Sequence, residues 1–173
     1  MDRARRPQLI SAVRIPDDPI VGWRYWHLGL EPVLLGSVTQ RGFRWNARQP
    51  IKARCVSSGH AAPAPGCACG VYAGAELSGL RDHGLCLPAG GLVVGEVGLW
   101  GLVLTEEDGH RGEFGYPRRL SVVTETVEAA VLAGVVEELA AAYGVPVDTV
   151  DRASAVGEVS AAIAAFLDMS SPR

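Results

Sequence analysis

The chain has 173 residues, of which 48% are hydrophobic and 20% charged, and its formal net charge at neutral pH is −3. This composition is typical of one globular domain, with or without a small appendage, and excludes a disordered chain. Four cysteines are too few for a disulfide-dense miniprotein, and no apolar run is long enough for a transmembrane helix. We expect no secretory signal, a cytoplasmic location and no membrane partner.

Three segments follow one another along the chain. Residues 1–19 are expected to be a basic flexible leader, because prolines interrupt any regular element there. Residues 20–123 are predicted to be a β-rich core. Alternation from Ile20 to Tyr25 is typical of a half-buried strand, and the apolar run Val33–Val38 predicts the next one. Ile51–Val56 is a further candidate strand.

A long hairpin is predicted from Leu92 onward. The run Leu92–Thr105 is rich in Val and Leu, and Asp108-Gly109 is typical of a two-residue hairpin turn. Pairing around that turn predicts three cross-strand pairs: Glu106 with Arg111, Gly101 with Tyr116, and Val103 with Phe114. Glycines within the first strand indicate bulges or sharp bends, which are typical of a small, bent barrel.

Residues 124–173 are predicted to form a C-terminal helical pair. After Pro117, a short strand is predicted at Leu120–Val123, and the chain then becomes helical. Apolar residues from Val127 to Leu139 have helical spacing, and Gly144 is a plausible stop. A second helix is predicted from about Ala155 to Leu167. The predicted fold class is therefore α+β, a small bent antiparallel β-barrel or half-barrel with a C-terminal helical pair.

A cluster of cysteine and histidine marks the loop before the hairpin. Cys55, His60, Cys67 and Cys69 have the spacing C-x4-H-x6-C-x-C, in a stretch rich in small residues, Pro and Gly. Thiolate and imidazole are the donors that tetrahedral zinc prefers, so the pattern predicts a metal loop over residues 55–70. An iron–sulfur cluster is a chemically reasonable alternative, because the single residue between Cys67 and Cys69 is tighter than in common zinc motifs.

The fourth ligand and the chemistry of the cluster stay open. Cys86 or His83 can replace His60 as a ligand, and the cysteines can also be reactive thiols without a metal. Motifs of zinc deaminases, metallohydrolases, serine hydrolases and nucleotide-binding proteins are absent from the sequence. We therefore assign no catalytic residue and expect a closed, structural site.

Aromatic and basic residues alternate near the N-terminus. Trp23, Arg24, Arg44 and Trp45 combine rings that stack on bases with guanidinium groups that bind phosphate. This composition suits single-stranded nucleic acid, although strand aromatics of this kind more often lie in a core.

Three segments carry a resemblance: Gly22-Trp23-Arg24, the stretch His60–Ala73 around C-x-C-G, and G-E-V-G-L-W-G at Gly95–Gly101. They resemble an uncharacterised protein family of high-GC bacteria. The resemblance implies no known activity and no catalytic residue.

Three functions follow from these patterns. The leading prediction is a non-enzymatic binding or regulatory module that is stabilised by a metal, with zinc as the ion. The first alternative is an iron–sulfur or reactive-thiol redox protein that uses the same cysteines. The second is a metal-free subunit that forms an oligomer through apolar helices. Partner classes left open are single-stranded nucleic acid, a protein, and another copy of the chain.

Overall fold

A computed structural model of the chain describes residues 10–38, 40, 42–76 and 91–151. Within those residues the elements are nine β-strands, one 3-10 turn at Thr124–Thr126 and one α-helix, α1, at Ala129–Tyr143. The strands are β1 Ile10–Arg14, β2 Ile20–Leu30, β3 Val33–Ser37, β4 Arg44–Trp45, β5 Ile51–Lys52, β6 Val71–Gly74, β7 Gly91–Glu106, β8 Gly109–Val123 and β9 Val147–Val150. The class is α+β, as predicted.

All nine strands belong to one sheet, which is mostly antiparallel. The strand order is β1-β7-β8-β6-β2-β3-β4, and β5 and β9 each pair with β8. β2 also pairs with β7 along most of its length, while it meets β6 only at Trp23 and Gly74. The sheet is not a clear barrel, so this part of the fold prediction is not confirmed.

The β7–β8 hairpin exists as predicted, but the predicted register is wrong by two residues. The turn is Glu107-Asp108, and Glu106 lies opposite Gly109. Gly109 is a strand residue beside β6, where a Cβ atom would lie 2.2 Å from the carbonyl oxygen of Ala73. Only glycine allows the backbone at position 109 to approach β6 this closely, and Gly109 is not part of the turn.

The predicted partners along the hairpin change accordingly. Tyr116 faces Gly98, and Val103 faces Gly112. Gly101 lies in a bulge between the pairs of Trp100 and Val103, with a φ of 71° that suits glycine. The predicted ion pair between Glu106 and Arg111 does form, as a diagonal contact on one face of the hairpin.

Two further predictions about strands are corrected. The predicted short strand Leu120–Val123 is not separate but is the end of β8, which runs through Pro117 with a bulge at Arg118. Residues 10–14 of the predicted flexible leader form β1, which pairs with the end of β7, because the prolines flank this segment and do not interrupt it. The candidate strand at Ile51–Val56 is limited to Ile51–Lys52.

The helix confirms the predicted spacing and stop. α1 buries Val135, Leu139 and Tyr143 and ends at Gly144, which has the left-handed conformation. The chain then returns as β9, which pairs in parallel with the end of β8. The second predicted helix, at about 155–167, lies outside the described residues. A helical pair is therefore not shown.

The core lies between the sheet and α1. Trp26 and Trp45 meet edge to face with ring centroids 5.5 Å apart, and both are almost fully buried. Tyr143 fixes the helix to the sheet, because its hydroxyl donates to the carbonyl of Trp45 and accepts from the N–H of Leu35. In the described part of the chain, no helix is both long and apolar enough to cross a membrane.

Candidate metal centre

The loop at residues 53–70 is held at both ends by the same strand. It connects β5 to β6, and each of these pairs with the first half of β8: Lys52 faces Phe114, and Val71 faces Gly112. The N–H of Ala53 continues this pairing by donating to the carbonyl of Glu113 at 2.7 Å. The two ends of the loop are therefore neighbours, which brings residues near 55 and near 69 together.

The structure brings the four predicted ligand residues into one cluster. One donor atom from each of Cys55, His60, Cys67 and Cys69 lies within 4.8 Å of the other three. The Sγ atoms of Cys55 and Cys67 are 3.7 Å apart, and Nε2 of His60 is 3.3 Å from Sγ of Cys69. His60 is exposed and the cysteines are half-buried. This Cys3His group can bind a metal ion.

Two serines orient Cys55 and His60, the first two candidate ligands. The Oγ atom of Ser58 lies 2.7 Å from Nδ1 of His60, which leaves Nε2 free to point toward the cysteines. Ser57 and Ser58 lie 3.4 and 3.2 Å from Sγ of Cys55. Hydrogen bonds from these hydroxyls lower the pKa of the Cys55 thiol from its ordinary value to about 5. This lower pKa favours the thiolate of Cys55, which is the form that binds metals.

The segment Cys67–Cys69 begins where the turn at Pro65-Gly66 closes, and hydrogen bonds from the sheet below hold it in place. Arg111 on β8 donates from Nη1 to the carbonyl of Cys69 at 2.7 Å and also to the carbonyl of Cys67. The hydroxyl of Tyr72 donates to the carbonyl of Ala68 at 2.7 Å. Burial raises the pKa of the Cys69 thiol, and a bound cation would favour its thiolate.

Close packing under the segment Cys67–Cys69 requires a glycine next to the last ligand. Gly70 has a φ of 132°, and a Cβ atom there would lie 2.9 Å from Cβ of Arg111 and 3.1 Å from Cβ of Pro63. The segment therefore lies directly against β8 and the buried part of the loop.

The predicted alternative ligands, His83 and Cys86, lie outside the described residues. Their replacement of His60 therefore stays a prediction.

The aromatic and basic residues do not share one open face. Trp45 is 2% exposed, so its ring has no surface on which a base can stack. The guanidinium of Arg24 lies 5.0 Å from the Trp45 ring centroid and donates to the carbonyl of Tyr72 at 2.5 Å. Burial lowers the pKa of Arg24 to about 10. Trp23 is partly exposed and Arg44 exposed, and nucleic-acid binding by this segment stays a prediction.

The sequence predicted the four residues of the cluster but not the residues that hold them in place. Arg111 was expected only as a cross-strand partner of Glu106, and Ser58 and Tyr72 were not singled out. The spacing of the cluster residues carries no signal for these supports, because Arg111 reaches the loop only through the pairing of β5 and β6 with β8.

Comparisons of the chain with protein-family models, with curated protein sequences and with solved structures found no match. We therefore interpret the cluster from its own geometry and chemistry.

Proposed function

We propose that the chain is a zinc-binding β-protein in which Cys55, His60, Cys67 and Cys69 hold one structural ion. The observation that carries this proposal is the convergence of their four donor atoms within 4.8 Å. Zn–S bonds of about 2.3 Å imply sulfur atoms about 3.8 Å apart at the edge of a tetrahedron. The separation of 3.7 Å between Cys55 and Cys67 agrees with that edge.

A single ion fits this donor set better than an iron–sulfur cluster. In a cluster, several irons and bridging sulfides lie between the cysteine ligands, so ligands on different irons are further apart than the edge of a one-ion tetrahedron. All four donor atoms lie close enough to share one ion. Cys3His is also an ordinary ligand set of structural zinc.

The proposed role is structural and not catalytic. Catalytic zinc keeps a position for water, whereas four protein donors complete the tetrahedron. The ion would join the start of the loop, through Cys55 and His60, to the segment Cys67–Cys69 that rests on β8. We propose that the chain is in this way a metal-stabilised, non-enzymatic binding or regulatory module.

Elemental analysis of the purified protein tests this proposal. We expect one zinc per chain, and in Co(II)-substituted protein we expect the intense visible bands of a tetrahedral thiolate site. Cys67→Ser removes one ligand at similar side-chain size and should abolish stoichiometric binding. Cys86→Ser is the matched control and should bind one zinc. If Cys86→Ser loses zinc and His60→Ala retains it, the fourth ligand is Cys86 and not His60. Wild-type protein without any metal would contradict the proposal.

The low pKa of Cys55 favours a second candidate function. A partly exposed thiolate 3.7 Å from another sulfur is suited to thiol redox chemistry. In that case, metal-free protein would be the active form, and stoichiometric peroxide would join Cys55 to Cys67 without affecting Cys69. Zinc at full occupancy in protein purified without added metal would favour the structural role.

A further inference from the structure

We propose that Arg111, supported by Glu106, is a positioning residue of the metal centre: it holds the segment Cys67–Cys69 in the ligating conformation before the ion arrives. This inference rests on the proposed zinc site and adds a specific requirement to it. It assigns the affinity of the centre in part to a side chain that is not a ligand.

The guanidinium contacts this segment and the hairpin at once. Nη1 donates to two carbonyls of the segment, those of Cys67 and Cys69. Nε and Nη2 donate to one carboxylate oxygen of Glu106 at 2.8 and 2.5 Å. Because the guanidinium is planar and rigid, fixing one edge on Glu106 fixes the direction of the other edge.

Both side chains of the Arg111–Glu106 ion pair are buried. Arg111 is 3% exposed and Glu106 is 8% exposed, so each charge depends on the other for compensation. Glu106 ends β7 and Arg111 lies near the start of β8, so both are held by the hairpin. The position of the guanidinium is therefore set by the sheet and not by the loop.

The two bonded carbonyls belong to the two ligands of the C-x-C segment. A donor shared between them fixes the backbone on both sides of Ala68, and thereby the directions in which the two cysteine side chains leave it. A ligand pair that is already oriented loses less conformational entropy when it binds an ion. Support groups of this kind typically change metal affinity by about 10–100-fold.

Arg111→Lys separates positioning from charge. Lysine keeps the positive charge beside Glu106 but lacks the planar fork that reaches both the carboxylate and two carbonyls. We expect the zinc dissociation constant, measured by competition with a chromogenic chelator, to rise about 10–100-fold. We also expect the Co(II) bands to shift and broaden. Arg119→Lys is the matched control on the same strand, because its exposed ion pair with Asp148 is remote from the loop; its zinc affinity should equal that of wild type.

The outcomes separate the two proposals. Wild-type protein that binds no zinc overturns the proposed function, and this inference with it. Equal zinc affinity and equal Co(II) spectra in wild type and Arg111→Lys overturn the positioning role alone. If Arg111→Lys fails to fold, nuclear magnetic resonance of the wild-type guanidinium decides the question. Separate, slowly exchanging Nη1 protons in metal-free protein support the inference, and rapidly averaged signals overturn it.

Discussion

Removing the proposed zinc ion should release residues 59–61 of the metal loop and leave residues 67–69 in place. Residues 56–61 are all exposed, whereas the segment at residues 67–69 receives hydrogen bonds from Arg111 and Tyr72. Within residues 53–70, all of which the structure describes, only Ala62 and Pro63 are buried. Packing therefore contributes little order to residues 59–61, and the ion would be their main constraint.

The size of the effect follows from mass action. Zinc at 100 times its dissociation constant stabilises the folded state by about 2.7 kcal/mol. For a chain of this size, each kcal/mol changes the melting temperature by about 2–4 °C, so a strong chelator should lower it by roughly 5–11 °C. The sheet keeps its own core of buried side chains, and the metal-free protein should stay folded at 25 °C.

Amide hydrogen exchange with and without chelator measures the local effect. We expect residues 59–61 to exchange fully at the earliest time point after chelation, whereas Ser57 and Ser58 stay beside Sγ of Cys55, to which they bond. The N–H of Cys67, which donates to the carbonyl of Ala64 at 3.2 Å, should keep part of its protection. Cys67→Ser should not respond to the chelator. Unchanged exchange and an unchanged melting temperature would refute the reasoning, and so would melting of the whole sheet at 25 °C.

Two further predictions concern Cys55 and Tyr143. In chelated protein, the rate at which Cys55 is alkylated can be followed by mass spectrometry of its peptide. We expect this alkylation rate to be constant from pH 9 to about 6 and to fall to half near pH 5, because hydroxyl donors stabilise the thiolate. Ser58→Ala should move this midpoint upward, and a wild-type midpoint near 8.5 would contradict the assignment. Tyr143→Phe removes a hydroxyl that accepts from the buried N–H of Leu35 at 2.9 Å and donates to the carbonyl of Trp45 at 2.5 Å. Leaving these groups unsatisfied should cost about 2–4 kcal/mol in urea unfolding with an unchanged slope, and a cost below about 0.5 kcal/mol would show that the bonds do not contribute.

The lowered pKa of Cys55 should also make the stability of the folded, metal-free chain increase with pH. The pKa of Cys55 is lower in the folded chain than its ordinary value of 9.0. Its contribution to stability in metal-free protein is therefore complete above pH 9 and disappears as the pH falls through about 5. Zinc binding should weaken in the same direction, because protons compete for the ligands.

Local patterns in the sequence predicted several of the elements and the four residues of the Cys3His cluster. Alternation predicted β2, helical spacing and Gly144 predicted α1, and the donor types in C-x4-H-x6-C-x-C predicted a cluster that the structure brings together. These features depend on residues that are close together in the chain. The spacing of apolar residues in a strand or helix, and the metal-binding chemistry of Cys and His, do not depend on which distant segment packs against them.

The remaining features depended on contacts between distant segments. Gly109 pairs with β6, and this close approach moves the hairpin register by two residues from the one that Asp108-Gly109 alone predicts. Trp45 lies in the core because the sheet and α1 close over it. Arg111 supports the segment Cys67–Cys69 because β5 and β6 both pair with β8, and that pairing places the loop above a side chain more than forty positions away. The residues of the candidate metal centre can thus be predicted from the sequence, whereas their support by Arg111 exists only once the sheet has formed.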